Sequence, residues 1–127
     1  MFKKKTISLE SIQERMPVWD ALSEFFLDTE LQESDYQRIA TVLASSPYSE
    51  KKLYQILRFE VYPPCKWNLF NIAGEWAGFT KEWILDNIAT RYDRRLWLPP
   101  FFASLYKDHW KKKVLPLFRA LREKNSV

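Results

Sequence analysis

The sequence predicts an all-α fold, a single-domain orthogonal bundle of about six helices over residues 1–127. Three observations predict it. Only two glycines occur in 127 residues, against an average share of about 7%; sandwiches and barrels need glycine at turns and bulges, and doubly wound folds need it in phosphate loops. Apolar residues recur at helical spacing in segment after segment, and no stretch alternates long enough for a strand. The connectors are short and begin with a proline or a hydroxyl cap. The length suits one domain, and 46% hydrophobic with 28% charged residues excludes a disordered or fibrous chain.

Ser8 to Arg15 forms a short helix that should stop before Pro17, with a new or kinked helix starting at Met16-Pro17. Val18, Leu22, Phe25 and Phe26 then face inward, with Asp20 and Glu24 on the other side and Asp28-Thr29 as the exit. Ser34 or Asp35 caps the next helix, in which Tyr36, Ile39, Ala40 and Leu43 keep helical register until Ser45-Ser46-Pro47. Ser49 caps a third, with Leu53, Ile56 and Leu57 inward. It should end before Val61-Tyr62-Pro63-Pro64, which must be extended because two adjacent prolines forbid helix.

Trp67 or Asn68 opens a fourth helix through Leu69, Ile72, Ala73 and Trp76, with Gly78 as a left-handed stop. Thr80 caps the fifth, with Trp83, Ile84, Ile88 and Tyr92 inward, and Pro99-Pro100 interrupt the chain again. Phe101, Phe102, Leu105 and His109 indicate a sixth helix, which Pro116 kinks or divides from Leu117, Phe118 and Leu121; Lys124–Val127 should fray.

The net charge of +4 conceals an asymmetry. Residues 1–64 carry 8 basic and 10 acidic side chains, whereas residues 65–127 carry 12 and 6. Asp20, Glu24, Asp28, Glu30, Glu33 and Asp35 form an acidic run with no basic residue among them. Arg91, Arg94, Arg95, Lys111, Lys112 and Lys113 head a basic C-terminal run interleaved with Tyr92, Trp97 and Trp110. Opposed fields of this kind steer charged partners. The bland reading is two solvated faces, one half of the chain docked on the other. Aromatics make up 17% and are read first as core, since each buries roughly 150–250 Å².

Several chemistries are improbable. One cysteine, Cys65, excludes an internal disulfide and multi-cysteine metal sites, and one histidine, His109, removes most histidine chemistry. Cys65 reads as a small apolar residue under the Pro-Pro segment, and His109 as a half-buried helix residue. An enzyme built on Asp28, Glu60 or Glu75 would need those carboxyls to converge in one cleft, and their spacing gives no sign of it. Glu60 and Glu75 read more simply as helix-surface or buried hydrogen-bonding groups. There is no P-loop or GxGxxG, no calcium-loop spacing and no apolar run of membrane-spanning length, so no cofactor, no metal and no membrane contact are expected. Met1-Phe2-Lys3-Lys4-Lys5 is not followed by a signal-like stretch.

The stretch from Met16 to Leu31, with Phe26-Leu27-Asp28-Thr29 within it, is followed by Ala44-Ser45-Ser46-Pro47-Tyr48-Ser49, Glu60-Val61-Tyr62-Pro63-Pro64-Cys65, Asn68-Leu69 and Ala73-Gly74-Glu75-Trp76-Ala77-Gly78-Phe79. On these strings the chain resembles a family of small bacterial proteins of unknown function, over roughly residues 15–90. The resemblance implies a bacterial cytoplasmic protein and transfers no activity; the basic aromatic segment 91–124 lies beyond it.

The expectation is therefore a non-catalytic protein-binding module, concretely an immunity-like protein that neutralises a cognate toxin by covering its active site. The acidic run would mimic phosphate in a nuclease cleft, or the basic run would meet an acidic target. The alternative is a nucleic-acid-associated accessory protein using the basic run, in which phosphate-holding cations are interleaved with stacking aromatics.

Overall fold

The computed structural model describes residues 9–26, 30–65, 80–90 and 104–125. Among the described residues all regular structure is helical, in five helices. α1 is Leu9–Ser23, prolonged by a 3-10 turn, Glu24–Phe26. α2 is Glu33–Ser45, and α3 covers residues 50–65, α4 residues 81–89 and α5 residues 104–125. The helix expected from Trp67 or Asn68 lies outside the described residues, as do Asp28-Thr29, Tyr92, Pro99-Pro100, Phe101 and Phe102.

The prolines act differently from the expectation. Pro17 lies inside α1 and does not divide it. Its ring removes one N–H from the ladder, which leaves the carbonyl of Gln13 one turn earlier without that donor; both residues are exposed, so solvent can take the carbonyl. Pro63 and Pro64 also lie within continuous helix. They directly follow a π-helical stretch, Ile56–Val61, whose end is marked by the Tyr62 N–H donating to the Leu57 carbonyl. That wider turn shifts the hydrogen-bond ladder by one residue. The prolines then fall in the first turn of the next α segment, where a missing N–H matters least. Pro116 repeats the arrangement. It follows the π stretch His109–Val114, closed by the Leu115 N–H on the Trp110 carbonyl, and the helix runs on through Leu115–Asn125.

The caps are partly as expected. Ser49 Oγ accepts from the Lys52 N–H at 3.1 Å, and Thr80 Oγ1 accepts from the Trp83 N–H at 3.1 Å. At α2 the cap position is Gln32, two residues before Ser34 and three before Asp35. Asp35 instead reaches back, its Oδ2 accepting from the Gln32 N–H at 2.8 Å. It thereby serves as the acidic half of a capping box and complements the positive helix end.

The core is one contiguous cluster to which all five helices contribute. α1 supplies Val18, Trp19, Ala21 and Leu22, followed by Phe25 and Phe26; α2 supplies Tyr36, Ile39, Ala40 and Leu43. α3 adds Leu53, Ile56, Leu57, Val61, Tyr62 and Cys65, α4 adds Ile84 and Ile88, and α5 adds Tyr106, Trp110, Val114 and Phe118. Aromatic rings knit three of these elements: Tyr62 lies 5.0 Å from Tyr106, and Phe26 lies 6.1 Å from Tyr62 and 6.3 Å from Tyr106 between ring centroids.

Candidate functional site

The residues with the best chemical credentials are tied into the scaffold. Cys65 is fully buried, and desolvation pushes its thiol well up from the ordinary range, the state of an inert core cysteine. Glu60 is 9% exposed on the π stretch of α3. Its carboxylate accepts from Arg15 at 3.1 and 3.0 Å and from Trp19 Nε1 at 2.9 Å. Burial raises its pKa, while the Trp19 N–H and the Arg15 charge pull the other way. Glu60 thus belongs to a lock between α1 and α3. Asp28 and Glu75, the other two carboxyls of an enzymatic reading, lie outside the described residues.

His109 is half-buried on the π stretch of α5. It stacks on Phe25 with centroids 5.4 Å apart, and its Nδ1 lies 2.8 Å from the Tyr36 hydroxyl. Desolvation lowers its pKa, which favours a neutral ring able to accept from that hydroxyl. The expectation of a half-buried helix histidine is met, with a specific partner that the sequence did not indicate.

The acidic run is partly neutralised from within. Arg38, three residues beyond its end, pairs with Glu24 through both guanidinium nitrogens at 2.6 Å and with Asp35 at 3.3 Å. Its own pKa is raised by those partners, and the Gln32 N–H and Arg38 hold Asp35 below the carboxylate range. Asp20, Glu30 and Glu33 remain exposed. Burial, reinforced by Glu24, raises the pKa of Asp20 against the pull of Arg38 and Lys81. Glu30, Asp35 and Glu33 all act on the Tyr36 hydroxyl, raising its pKa after desolvation, so these three gather around the start of α2; Asp28 lies outside the described residues.

Of the basic run, Arg91, Arg94 and Arg95 lie outside the described residues, whereas Lys111, Lys112 and Lys113 are exposed on α5. Lys112 lies 3.5 Å from Asp108 in a solvated i,i+4 pair, and Lys113 Nζ stands 5.9 Å above the Tyr36 ring. Lys113 and the carboxylates of Glu30, Glu33 and Asp35 therefore meet at Tyr36.

Two further arginines of α5 are structural. Arg119 pairs with Glu50 at 2.8 and 2.9 Å. Arg122 spans the end of α2 and the turn after it: Nε donates to the Ala44 carbonyl at 3.0 Å. Nη2 lies 3.2, 2.9 and 2.7 Å from the carbonyls of Leu43, Ser46 and Tyr48. Leu43 and Ala44 lie in the last turn of α2, where carbonyls run short of intrahelical donors, and a cation suits that end of the helix dipole; Ser46 and Tyr48 belong to the turn that follows. Alongside this contact, α2 and α5 leave an open groove of about 280 Å³ lined by Gln37, Thr41, Leu117, Ala120, Leu121 and Lys124. Sequence reasoning missed it, since it placed Leu117 and Leu121 on the last helical stretch without a neighbour opposite them.

Among the described residues no group of three or more His, Cys, Asp or Glu is placed to hold a metal ion, and no helix is long and apolar enough to cross a membrane. No curated protein and no solved structure matches the chain. A family model, described as a domain of unknown function (DUF7079), matches residues 13–124 and takes in the basic segment that the resemblance over residues 15–90 left out. By that match the chain belongs to the DUF7079 family.

Proposed function

We propose that this protein is a non-catalytic protein-binding module of the bacterial cytoplasm, built as a single domain of about six helices. In its concrete form it is an immunity-like protein that silences a cognate toxin by direct binding. The observation that carries the reading is the contrast in how the charged residues are used. Glu60 and His109 are held by partners inside the scaffold, while Asp20, Glu30 and Glu33 stand exposed around one helix end. A clustered field at an exposed helix start favours fast electrostatic capture of a basic cleft.

The test is capture of partners from the native host's lysate with the full chain, with and without nuclease treatment. A stoichiometric protein that survives nuclease supports the reading. Asp20, Glu30 and Glu33 changed together to Ala should then slow its association at low salt; an unchanged rate removes the acidic face from the interface. The second reading, a nucleic-acid accessory protein, is favoured by the exposure of Lys111, Lys112 and Lys113 side by side. With Arg91, Arg94 and Arg95 it would neutralise about six phosphates, for a slope of log affinity on log salt near −5 on duplex DNA. A flat response rejects it.

A further inference from the structure

We infer that the groove between α2 and α5 is a docking site for an amphipathic α-helix of a partner protein, seated with an acidic end toward Lys124. The inference rests on the protein-binding reading and adds to it a surface distinct from the acidic run.

The floor of the groove is apolar by construction. Leu117, Ala120 and Leu121 come from one stripe of α5, at the i, i+3 and i+4 spacing that puts side chains on one face. Across from them Thr41 is polar in name only, since its hydroxyl donates to the Gln37 carbonyl of its own helix at 2.8 Å. The hydroxyl is thus satisfied internally, and the side chain offers little polarity to a ligand. The groove is open along its length, and Leu117 and Leu121 are only partly buried. A concave apolar strip flanked by charge is the geometry that takes the apolar face of a helix.

Charge selects the occupant. Lys124 lines one end of the groove and is exposed, and no described carboxylate lies within ion-pair distance of it. At the other end the two walls carry opposite signs, Glu33 one turn before Gln37 on α2 and Lys113 one turn before Leu117 on α5. Among the described residues the Lys124 end has a cation with no charge on the opposing wall of α2, with Glu123 exposed beside it on α5. A partner helix with its carboxyl-terminal end over Lys124 also sets its negative dipole end there. From Leu117 to Lys124 the α5 wall of the groove spans about 10 Å at 1.5 Å per residue, so about two turns of a partner helix cover it.

The probe is a synthetic, fluorescein-labelled amphipathic peptide of about 12 residues. It carries Leu at i, i+3, i+4 and i+7 and Glu one turn beyond the last Leu. Its binding to the full chain is followed by fluorescence anisotropy. The scrambled peptide should bind at least ten-fold more weakly. Ala120→Glu, at an exposed position where folding is not at stake, should weaken the ordered peptide by a similar factor, with circular dichroism unchanged. Lys124→Glu should lose several-fold, and a peptide with Lys in place of that terminal Glu should recover it on the K124E chain. Equal binding of ordered and scrambled peptides, indifference to A120E, or failure of the charge swap to recover affinity overturns the docking site. The broader reading fails separately: if lysate capture yields no protein partner, the module reading falls. If A120E captures the same partner as the unaltered chain, only the groove falls.

Discussion

Two seams of the molecule are each closed by an arginine, and the two arginines meet opposite kinds of acceptor. Between α1 and α3, Arg15 meets the buried carboxylate of Glu60, which also accepts from Trp19. Between α2 and α5, Arg122 meets only backbone carbonyls, four of them, and lies over the Phe118 ring at 4.6 Å. The first seam sets a carboxyl against burial, which favours its neutral form and so ties the seam to pH. The second, at Arg122, uses carbonyls at the end of α2 and in the turn after it, and none of those acceptors titrates. One fold thus contains a contact that is costly to break and pH-sensitive, at Glu60, beside one that is moderate and pH-indifferent, at Arg122.

The largest effect expected from breaking the comparison is at Glu60. Glu60→Ala strands the Arg15 charge at a site only 13% exposed and should destabilise by about 3–5 kcal/mol in urea unfolding. The double change Arg15→Met with Glu60→Gln removes both charges and keeps an oxygen for the Trp19 N–H. It should recover most of that loss, because a buried pair replaced as a pair is near neutral. Linkage adds a sign. Burial raises the Glu60 pKa in the folded state, so its contribution is fully present below the ordinary value of 4.5 and is lost as pH rises through the folded pKa. The Gln variant should lack that slope, and an identical slope in both chains refutes the burial argument.

Arg122→Ala should cost less, about 1.5–3 kcal/mol, since it removes charge-assisted bonds to carbonyls that partly exposed positions let water reach. Lys at the same position should recover only part, because a point ammonium cannot span the fork from Ala44 to Tyr48. The loss should be the same at pH 5 and pH 8. A pH-dependent loss would mean that Arg122 is coupled to a titrating group such as His109, which joins α5 to Tyr36 of α2.

His109 adjoins the second seam and supplies the contrast in pH sign. Its folded pKa is depressed by desolvation, with Asp108 opposing weakly, so the stability it contributes is present above the ordinary value of 6.5 and is lost as pH falls through the folded pKa. Tyr36→Phe removes the hydroxyl from Nδ1 and should cost about 1 kcal/mol at pH 8, with a smaller difference once the ring is protonated. Thermal melts of the two chains between pH 8 and pH 5 read this directly, and parallel curves would rule the hydrogen bond out as the source.

How much of this was legible follows from what each contact is made of. Side chains that repeat at helical spacing were readable: Tyr36, Ile39, Ala40 and Leu43 are buried as their register requires, and so are Val18, Leu22, Phe25 and Phe26. Hydroxyl caps at Ser49 and Thr80 were readable because the motif is local. The prolines misled, because proline was weighed against an α-helix alone. The π stretches Ile56–Val61 and His109–Val114 that accommodate Pro63, Pro64 and Pro116 leave no residue signature. Arg122 could not be read at all, since its acceptors are backbone atoms more than seventy positions away. The acidic run was legible as composition, yet Arg38 beyond its edge cancels part of it.

That cancellation yields the smallest effect on stability and the one nearest to function. Arg38 is half exposed in its pair with Glu24, so Arg38→Ala should cost only about 0.2–1 kcal/mol, and less in high salt. Its effect on the field is larger than its effect on the fold. Removing the guanidinium returns Glu24 and Asp35 to the surface beside Asp20, Glu30 and Glu33, which deepens the negative potential around the start of α2. A basic partner should then associate faster with the variant at low salt, with the gain erased near 0.5 M salt, where screening confines such fields to a few ångströms. Stopped-flow association across a salt series separates the two possibilities. A faster, salt-sensitive on-rate means that Arg38 tempers a working surface. A rate equal to that of the unaltered chain at every salt concentration means that the acidic run is scaffold, and that partner capture lies with the groove or with α5.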